Sequence, residues 1–299
     1  MIEQNQQVAE SWVGIVLSGG SGTRLYPMTN EVSKQLLPIY DKPMVYYPIS
    51  TLMLAGIRNF LVISTPKDLP LYLHLLGTGE RIGLNFTYIE QKKPEGIAQS
   101  LILGRKFIGK RNVVLILGDN LFYGKLQFIR NALKITAGAT IFGCKVFDPQ
   151  NYGIIEFDKN GKPKSIDEKP KNPKSNYAVP GLYAMDSRAP EFAQSIKPSA
   201  RGELEITDVL RKYLELGELN VELLGRGIAW LDTGTPSGLL NASNFIESIE
   251  TRQGQMIACL EEIALLMGYI SRKELIKLTC GIEKSDYGKY LIELANEHK

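Results

Sequence analysis

Four short stretches of this chain carry side chains that could work on phosphate. The first is Ser18-Gly19-Gly20-Ser21-Gly22-Thr23-Arg24. Its glycines free the backbone for close approach and left-handed turns. Exposed N–H groups at a strand-to-helix turn can cradle phosphate oxygens. No Gly-Lys-Ser/Thr closes the run as in a Walker loop. Leu25 stands where the dinucleotide fingerprint needs its third glycine. Alone, the run fits a structural turn as well as a phosphate site. Arg24 and then Lys34 tilt it toward a polyphosphate, one as a planar fork and the other as a point charge.

The second stretch is Leu117-Gly118-Asp119-Asn120. A carboxylate directly after a buried strand sits at the carboxyl edge of a parallel sheet, where open α/β folds bind ligands. Asp after a strand is also a common helix N-cap. The third, Trp230-Leu231-Asp232-Thr233-Gly234-Thr235, offers Asp232 either as a turn residue ahead of a helix near Pro236 or as a ligand. Mg²⁺ is usually held by one or two carboxylates and substrate phosphates, so Asp119 and Asp232 together would suit it. The fourth, Ile166-Asp167-Glu168-Lys169-Pro170, reads by itself as a solvated charged face.

The elements that must position these residues can be traced along the chain. Apolar runs at 13–17, 60–63, 86–89, 113–117 and 139–142 alternate with helix-length segments at 45–55, 69–76, 97–107 and 126–135. That rhythm predicts βαβ units and a Rossmann-like α/β fold with a mixed, mostly parallel sheet flanked by helices. The strands are continuously rather than alternately apolar, as burial on both faces requires. After residue 150 the rhythm changes. Residues 152–157 and 163–166 around Asp158-Lys159-Asn160-Gly161 predict a β-hairpin. Further strands are expected at 178–184 and 221–224, then helices at 239–249, 257–267, 272–278 and 287–295. Ser271 and Glu274 form a potential capping box. The change of rhythm divides an expected core over 12–234 into parts 12–150 and 151–234, followed by a helical segment over 235–299.

Composition excludes several classes. Hydrophobic residues make up 44% and charged residues 22% of 299, which excludes global disorder. The net charge of +3 argues against a nucleic-acid binder. No run approaches the roughly 18 apolar residues of a membrane span. Residues 1–11 read as a disordered polar leader without a secretory signal. Cys144, Cys259 and Cys280 are scattered, and two histidines make no zinc framework, so a cytoplasmic enzyme with reduced thiols is expected.

Longer matches now carry a resemblance. Residues 17–29 (LSGGSGTRLYPMT), followed by SKQLLP at 33–38 and DKPM at 41–44, resemble the signature of sugar-phosphate nucleotidylyltransferases. The similarity continues through QKKPEGIAQ (91–99), LGDN (117–120), DPQNYG (148–153), EKPK (168–171) and PKSNYAVPGLY (173–183). It then takes in SARGELEITD (199–208), GRGIAWLDTGT (225–235), RQG (252–254) and IACLEEIA (257–264). It spans residues 12 to about 290 and is closest to the thymidylyl-transferring members. The segment 125–136 and the tail after Arg272 match only loosely.

The resemblance implies a reaction of dTTP with α-D-glucose 1-phosphate that gives dTDP-glucose and pyrophosphate, the first step of dTDP-rhamnose and related deoxysugar synthesis. It implies that Gly19, Gly20, Gly22 and Thr23 wrap the triphosphate, with Arg24 and Lys34 neutralising it. Asp119 and Asp232 would hold Mg²⁺, and Lys169 would bind the sugar phosphate. Gln91 would read the thymine edge with the backbone of Gly96, and Leu17 and Gln35 would lie beside the nucleoside. Gly153, Glu168 and Val179 would face the glucose, with Tyr152 and Trp230 nearby. It further implies that 12–150 binds the nucleotide, that 151–234 binds the sugar phosphate, and that 235–299 supplies oligomer and regulatory contacts, with a homotetramer and feedback by dTDP-rhamnose near the helical tail. The alternatives are a uridylyl or adenylyl transferase of the same family and a silent nucleotide-sugar-binding subunit. The joint presence of Arg24, Asp119, Lys169 and Asp232 argues against the second. An appended acyltransferase domain is not expected, because no hexapeptide repeat occurs before Lys299.

Overall fold

A computed structural model describes residues 8, 10–20 and 22–297. Most of the expected leader therefore lies outside the described residues. Val8, however, is helical and packs against the main core, so that position corrects the expectation. Fourteen strands are described: β1 (Trp12–Leu17), β2 (Pro38–Ile39), β3 (Lys42–Pro43), β4 (Asn59–Ser64), β5 (Asn85–Glu90), β6 (Asn112–Leu117) and β7 (Asn120–Tyr123) come first. They are followed by β8 (Ala139–Lys145), β9 (Gly153–Phe157), β10 (Pro163–Glu168), β11 (Tyr177–Val179), β12 (Leu182–Met185), β13 (Leu219–Leu223) and β14 (Ala229–Asp232).

One large sheet runs in the order β10-β9-β11-β8-β12-β6-β1-β4-β5, with β13 added beside β8. The expected mixed sheet is present. Strands β6-β1-β4-β5 are parallel, β13 pairs parallel with β8, and β12 joins the two parts antiparallel, on one side to β6 and on the other to β8. The two expected halves of the core therefore share one continuous hydrogen-bonded surface. The predicted hairpin is β9 and β10, whose turn is tied by Asp158 Oδ1 to the N–H groups of Asn160 and Lys162, both at 2.8 Å. The stretch predicted as one strand at 178–184 is split into β11 and β12 by Pro180-Gly181. The helix predicted over 97–107 is likewise split at Gly104, into Gln99–Leu103 and Arg105–Ile108.

Successive residues of a strand face opposite sides, and β1 shows what that does here. Trp12 and Val16 pack on one side with helix Tyr46–Leu54, while Val13, Ile15 and Leu17 pack on the other with helices Ala189–Ser195 and Ile206–Glu215. The C-terminal helices Leu260–Leu266, Arg272–Leu278 and Asp286–Asn296 supply Leu260, Ile263, Leu275 and Leu291 to the first side. The helical tail is thus part of the main core. The Ser271–Glu274 capping box forms as predicted. Among the described residues no helix is long and apolar enough to cross a membrane.

Candidate active site

Two cavities open along the carboxyl edge of the parallel strands. The first, about 220 Å³, is walled by the glycine-rich turn after β1: Gly19, Gly20, Gly22, Thr23 and Arg24 face it, together with Lys34, Gln35, Asp119 and Gly234. Gly20 and Gly22 sit at φ +140° and +56°, conformations closed to most side chains, and this shapes the turn. Thr29 Oγ1 donates to the carbonyl of Gly22 at 2.8 Å and braces it. The second cavity, about 300 Å³, is walled by the β9–β10 hairpin and the β11–β12 break, with Tyr152, Gly153, Glu168, Lys169, Val179 and Trp230. Arg24 and Asp119 line both cavities, so the two meet there.

Asp119 is followed by β7 and not by a helix, so the N-cap reading does not hold. Strand β14 pairs antiparallel with β7 in a register that sets Asp232 directly across from Asn120. Two acids far apart in sequence thereby become neighbours in space. Lys34 Nζ lies 2.5 Å from Asp119 Oδ2, with the lysine side chain only 7% exposed. Asn120 Nδ2 donates to the other oxygen of Asp119 at 3.1 Å. Asp232 Oδ1 accepts from the N–H of Gly234 at 2.9 Å, while Oδ2 accepts from the hydroxyl of Tyr152 at 3.4 Å. Asp232 is therefore both the last strand residue and the anchor of the turn into helix Pro236–Gln253. Among the described residues no three His, Cys, Asp or Glu side chains converge as a metal cluster. A pair of carboxylates that leaves the remaining positions to phosphates and water is the donor set Mg²⁺ prefers.

On the hairpin side, Lys169 takes a left-handed φ of +42°, unusual for a residue with a side chain. Its N–H bonds the carbonyl of Tyr152 at 3.1 Å, and its half-exposed side chain lines the cavity. Glu168 is not a solvated residue. Burial, aided by repulsion from Glu205, pushes its carboxyl pKa up, although Lys169 and Arg201 pull the other way. Tyr152 and Trp230 meet edge to face at 5.1 Å.

The structure also brings forward residues that the sequence did not single out. Asn120 Oδ1 accepts from the Trp230 indole at 2.7 Å and from the N–H of Gly181 at 3.0 Å, locking β14 and the β11–β12 break to β7. Tyr183 lies buried in the second cavity, its hydroxyl held protonated by desolvation and by Glu168 and Asp119. Thr233 Oγ1 donates to the carbonyl of Asp119 at 3.0 Å. Only β7–β14 pairing could have announced Asn120 and Thr233, and both strands are too short and irregular in pattern to read. Leu17, Gln91 and Gly96 line neither cavity. Leu17 is buried at the end of β1, and Gln91 is buried beneath Gly19, where a Cβ would fall 2.1 Å from Gln91 Oε1.

A glycine turn with two cations, a pair of carboxylates at the junction and a separate hydroxyl-lined cavity beyond it are an arrangement suited to two phosphorylated ligands held side by side. The nucleotidyl transferase family model matches residues 13–249, and the chain belongs to that family. It is 54% identical to the glucose-1-phosphate thymidylyltransferase of Neisseria gonorrhoeae over 94% of this chain and 98% of that one. It is 52% identical to the enzyme of the same name from Mycolicibacterium smegmatis, again over 94% and 98%. Among solved structures it is similar to a Bacillus anthracis protein assigned to that enzyme and crystallised with sucrose. There the TM-score is 0.74 at 38% identity, covering 79% of this chain and 95% of that one.

Proposed function

We infer that this chain transfers a thymidylyl group from dTTP to α-D-glucose 1-phosphate, yielding dTDP-glucose and pyrophosphate. The observation that carries the reading is the meeting of the two cavities at Arg24 and Asp119, in a chain similar along nearly its whole length to thymidylyltransferases. The triphosphate lies along Gly19, Gly20, Gly22 and Thr23, with Arg24 and Lys34 against its oxygens. The base side is formed by Leu17, Gln35, Gln91 and the backbone of Gly96. The sugar lies against Gly153, Val179, Tyr152 and Trp230, with Glu168 accepting from its hydroxyls. Lys169 holds the sugar phosphate.

A sugar monophosphate is largely a dianion at neutral pH. It is therefore already a nucleophile and needs no general base. One phosphate oxygen forms the bond to the α-phosphorus, the α–β bridge breaks, and its electron pair leaves with pyrophosphate. What the chain supplies is positioning and charge neutralisation. Arg24, shared by both cavities, faces the charge that builds between the two anions. Asp119 and Asp232 fit Mg²⁺, which when bound neutralises phosphate charge at that junction.

The expected dTDP-rhamnose inhibitor and the homotetramer belong to the tail in this reading. Leu240, Leu266 and Ile276 are exposed there, as helices that pack on another copy require. Product analysis tests the main reading. Pyrophosphate and dTDP-glucose should appear one to one, and only with both substrates. Pyrophosphate released at the same rate without the sugar phosphate would mean hydrolysis and refute it.

A further inference from the structure

Behind Gln91 lies a network of amides whose orientation is fixed. The backbone N–H of Glu95 donates to Gln99 Oε1 at 3.1 Å, and Gln99 Nε2 donates to the Glu95 carboxylate at 2.7 Å. A backbone N–H can only donate and a carboxylate only accept, so the Gln99 amide has one possible sense. Gln91 Nε2 lies 2.6 Å from that same Gln99 Oε1 and must donate to it. The loop carrying Glu95 is itself tied down, because its carbonyl accepts from Leu204 at 2.6 Å. By this chain of reasoning Gln91 Oε1 is turned away from Gln99, toward Gly19 on the turn that lines the nucleotide cavity. A flipped Gln91 would set two acceptor oxygens against each other at hydrogen-bond distance.

We propose that Gln99 is a positioning residue that sets base specificity, locking the Gln91 amide in the sense that accepts thymine or uracil and rejects cytosine. The proposal rests on the reading of Gln91 as the base-edge contact. Thymine and uracil present an N3–H donor flanked by carbonyl acceptors. The fixed Oε1 accepts that proton, and the second N–H of Gln91 is left for a neighbouring carbonyl. Cytosine presents a bare N3 acceptor beside an amino donor. Matching it requires the opposite amide sense, which Gln99 forbids. A free glutamine would turn over and serve either base. A site whose polar group is held rigid discriminates by leaving the wrong partner unpaired.

The test is the ratio of kcat/KM for dTTP to that for dCTP, with UTP as a control. Gln99→Met keeps length but loses the strong acceptor. It should lower the dTTP:dCTP ratio by roughly tenfold or more, while UTP:dTTP stays within about twofold because both bases carry N3–H. The exchanged pair, Glu95→Gln with Gln99→Glu, keeps an acceptor at position 99 and a donor at position 95, and should retain the parental ratio. A parental ratio in Gln99→Met, or a fall in the exchanged pair to the Gln99→Met level, overturns the proposal. Gln91→Leu separates the two layers. If it collapses the ratio and Gln99→Met does not, only the role of Gln99 is lost. If Gln91→Leu leaves the ratio unchanged, the base-edge reading fails and this proposal with it.

Discussion

Replacing Asp119 and Asp232 by asparagine, one at a time, should separate charge from structure. Each change keeps shape and removes one negative charge. For Asp119 it also removes the partner of Lys34, whose ammonium is 2.5 Å away on a side chain only 7% exposed. Stripping one member from a buried pair costs about 3–5 kcal/mol. The Asp119 side chain is 23% exposed, and an amide oxygen still accepts from Lys34, so the expected cost is nearer ~2 kcal/mol. In a chain this size that is a fall in Tm of about 3 °C. Asp232 has no ion pair among the described residues, and its bond from the N–H of Gly234 survives in asparagine. Its Tm should therefore change little, about 1 °C. Activity should fall about 100-fold or more in both, because each removes charge from the junction of the cavities. Differential scanning calorimetry and pyrophosphate release at saturating Mg²⁺ are the assays. Turnover within threefold of the parent in both variants would refute the two-carboxylate metal site, and equal Tm values would refute the structural part for Lys34.

Burial raises the Glu168 carboxyl pKa, so its accepting form is lost on acidification sooner than for an ordinary glutamate. KM for glucose 1-phosphate should rise on acidification, at higher pH than an ordinary glutamate would give. Glu168→Gln should remove that limb and leave only the titration of the substrate's own phosphate near about 6. An unchanged profile in Glu168→Gln contradicts this. Trp230→Phe keeps the ring against Tyr152 but loses the 2.7 Å bond to Asn120. It should cost about 1 kcal/mol of stability and raise KM for the sugar phosphate more than it lowers kcat, which steady-state kinetics and a melt will show. With parental enzyme, dTTP should be preferred, UTP should be the nearest competitor and purine nucleotides should be poor. A higher kcat/KM for ATP or GTP contradicts the base assignment.

The parallel core was legible because β1, β4 and β6 are continuous apolar runs between helix-length segments, a pattern that double-sided burial imposes on sequence. The glycine turn and its two cations were legible for a similar reason: phosphate chemistry restricts which residues can serve. The meeting of Asp119 and Asp232 was not readable from spacing. It depends on β14 pairing with β7, two four-residue strands with no clear alternation, and beforehand the two acids were linked only by what Mg²⁺ coordination asks for and by the family resemblance. The N-cap alternative for Asp119 failed because a strand and not a helix follows it. The structural role of Asn120 was hidden because its partners, Gly181 and Trp230, are remote in sequence. Where the helical tail packs was not legible, because its amphipathic segments show that they bury a face but not which surface they bury it against.

The central claim is direct displacement at the α-phosphorus, with the two substrates held together at the Arg24–Asp119 junction and no covalent intermediate on the protein. The stereochemical course with a single diastereomer of the α-phosphorothioate of dTTP tests it most directly. One in-line attack by the sugar phosphate predicts inversion at phosphorus in the dTDP-glucose analogue. Net retention would require two successive displacements through a group on the enzyme and would contradict the account.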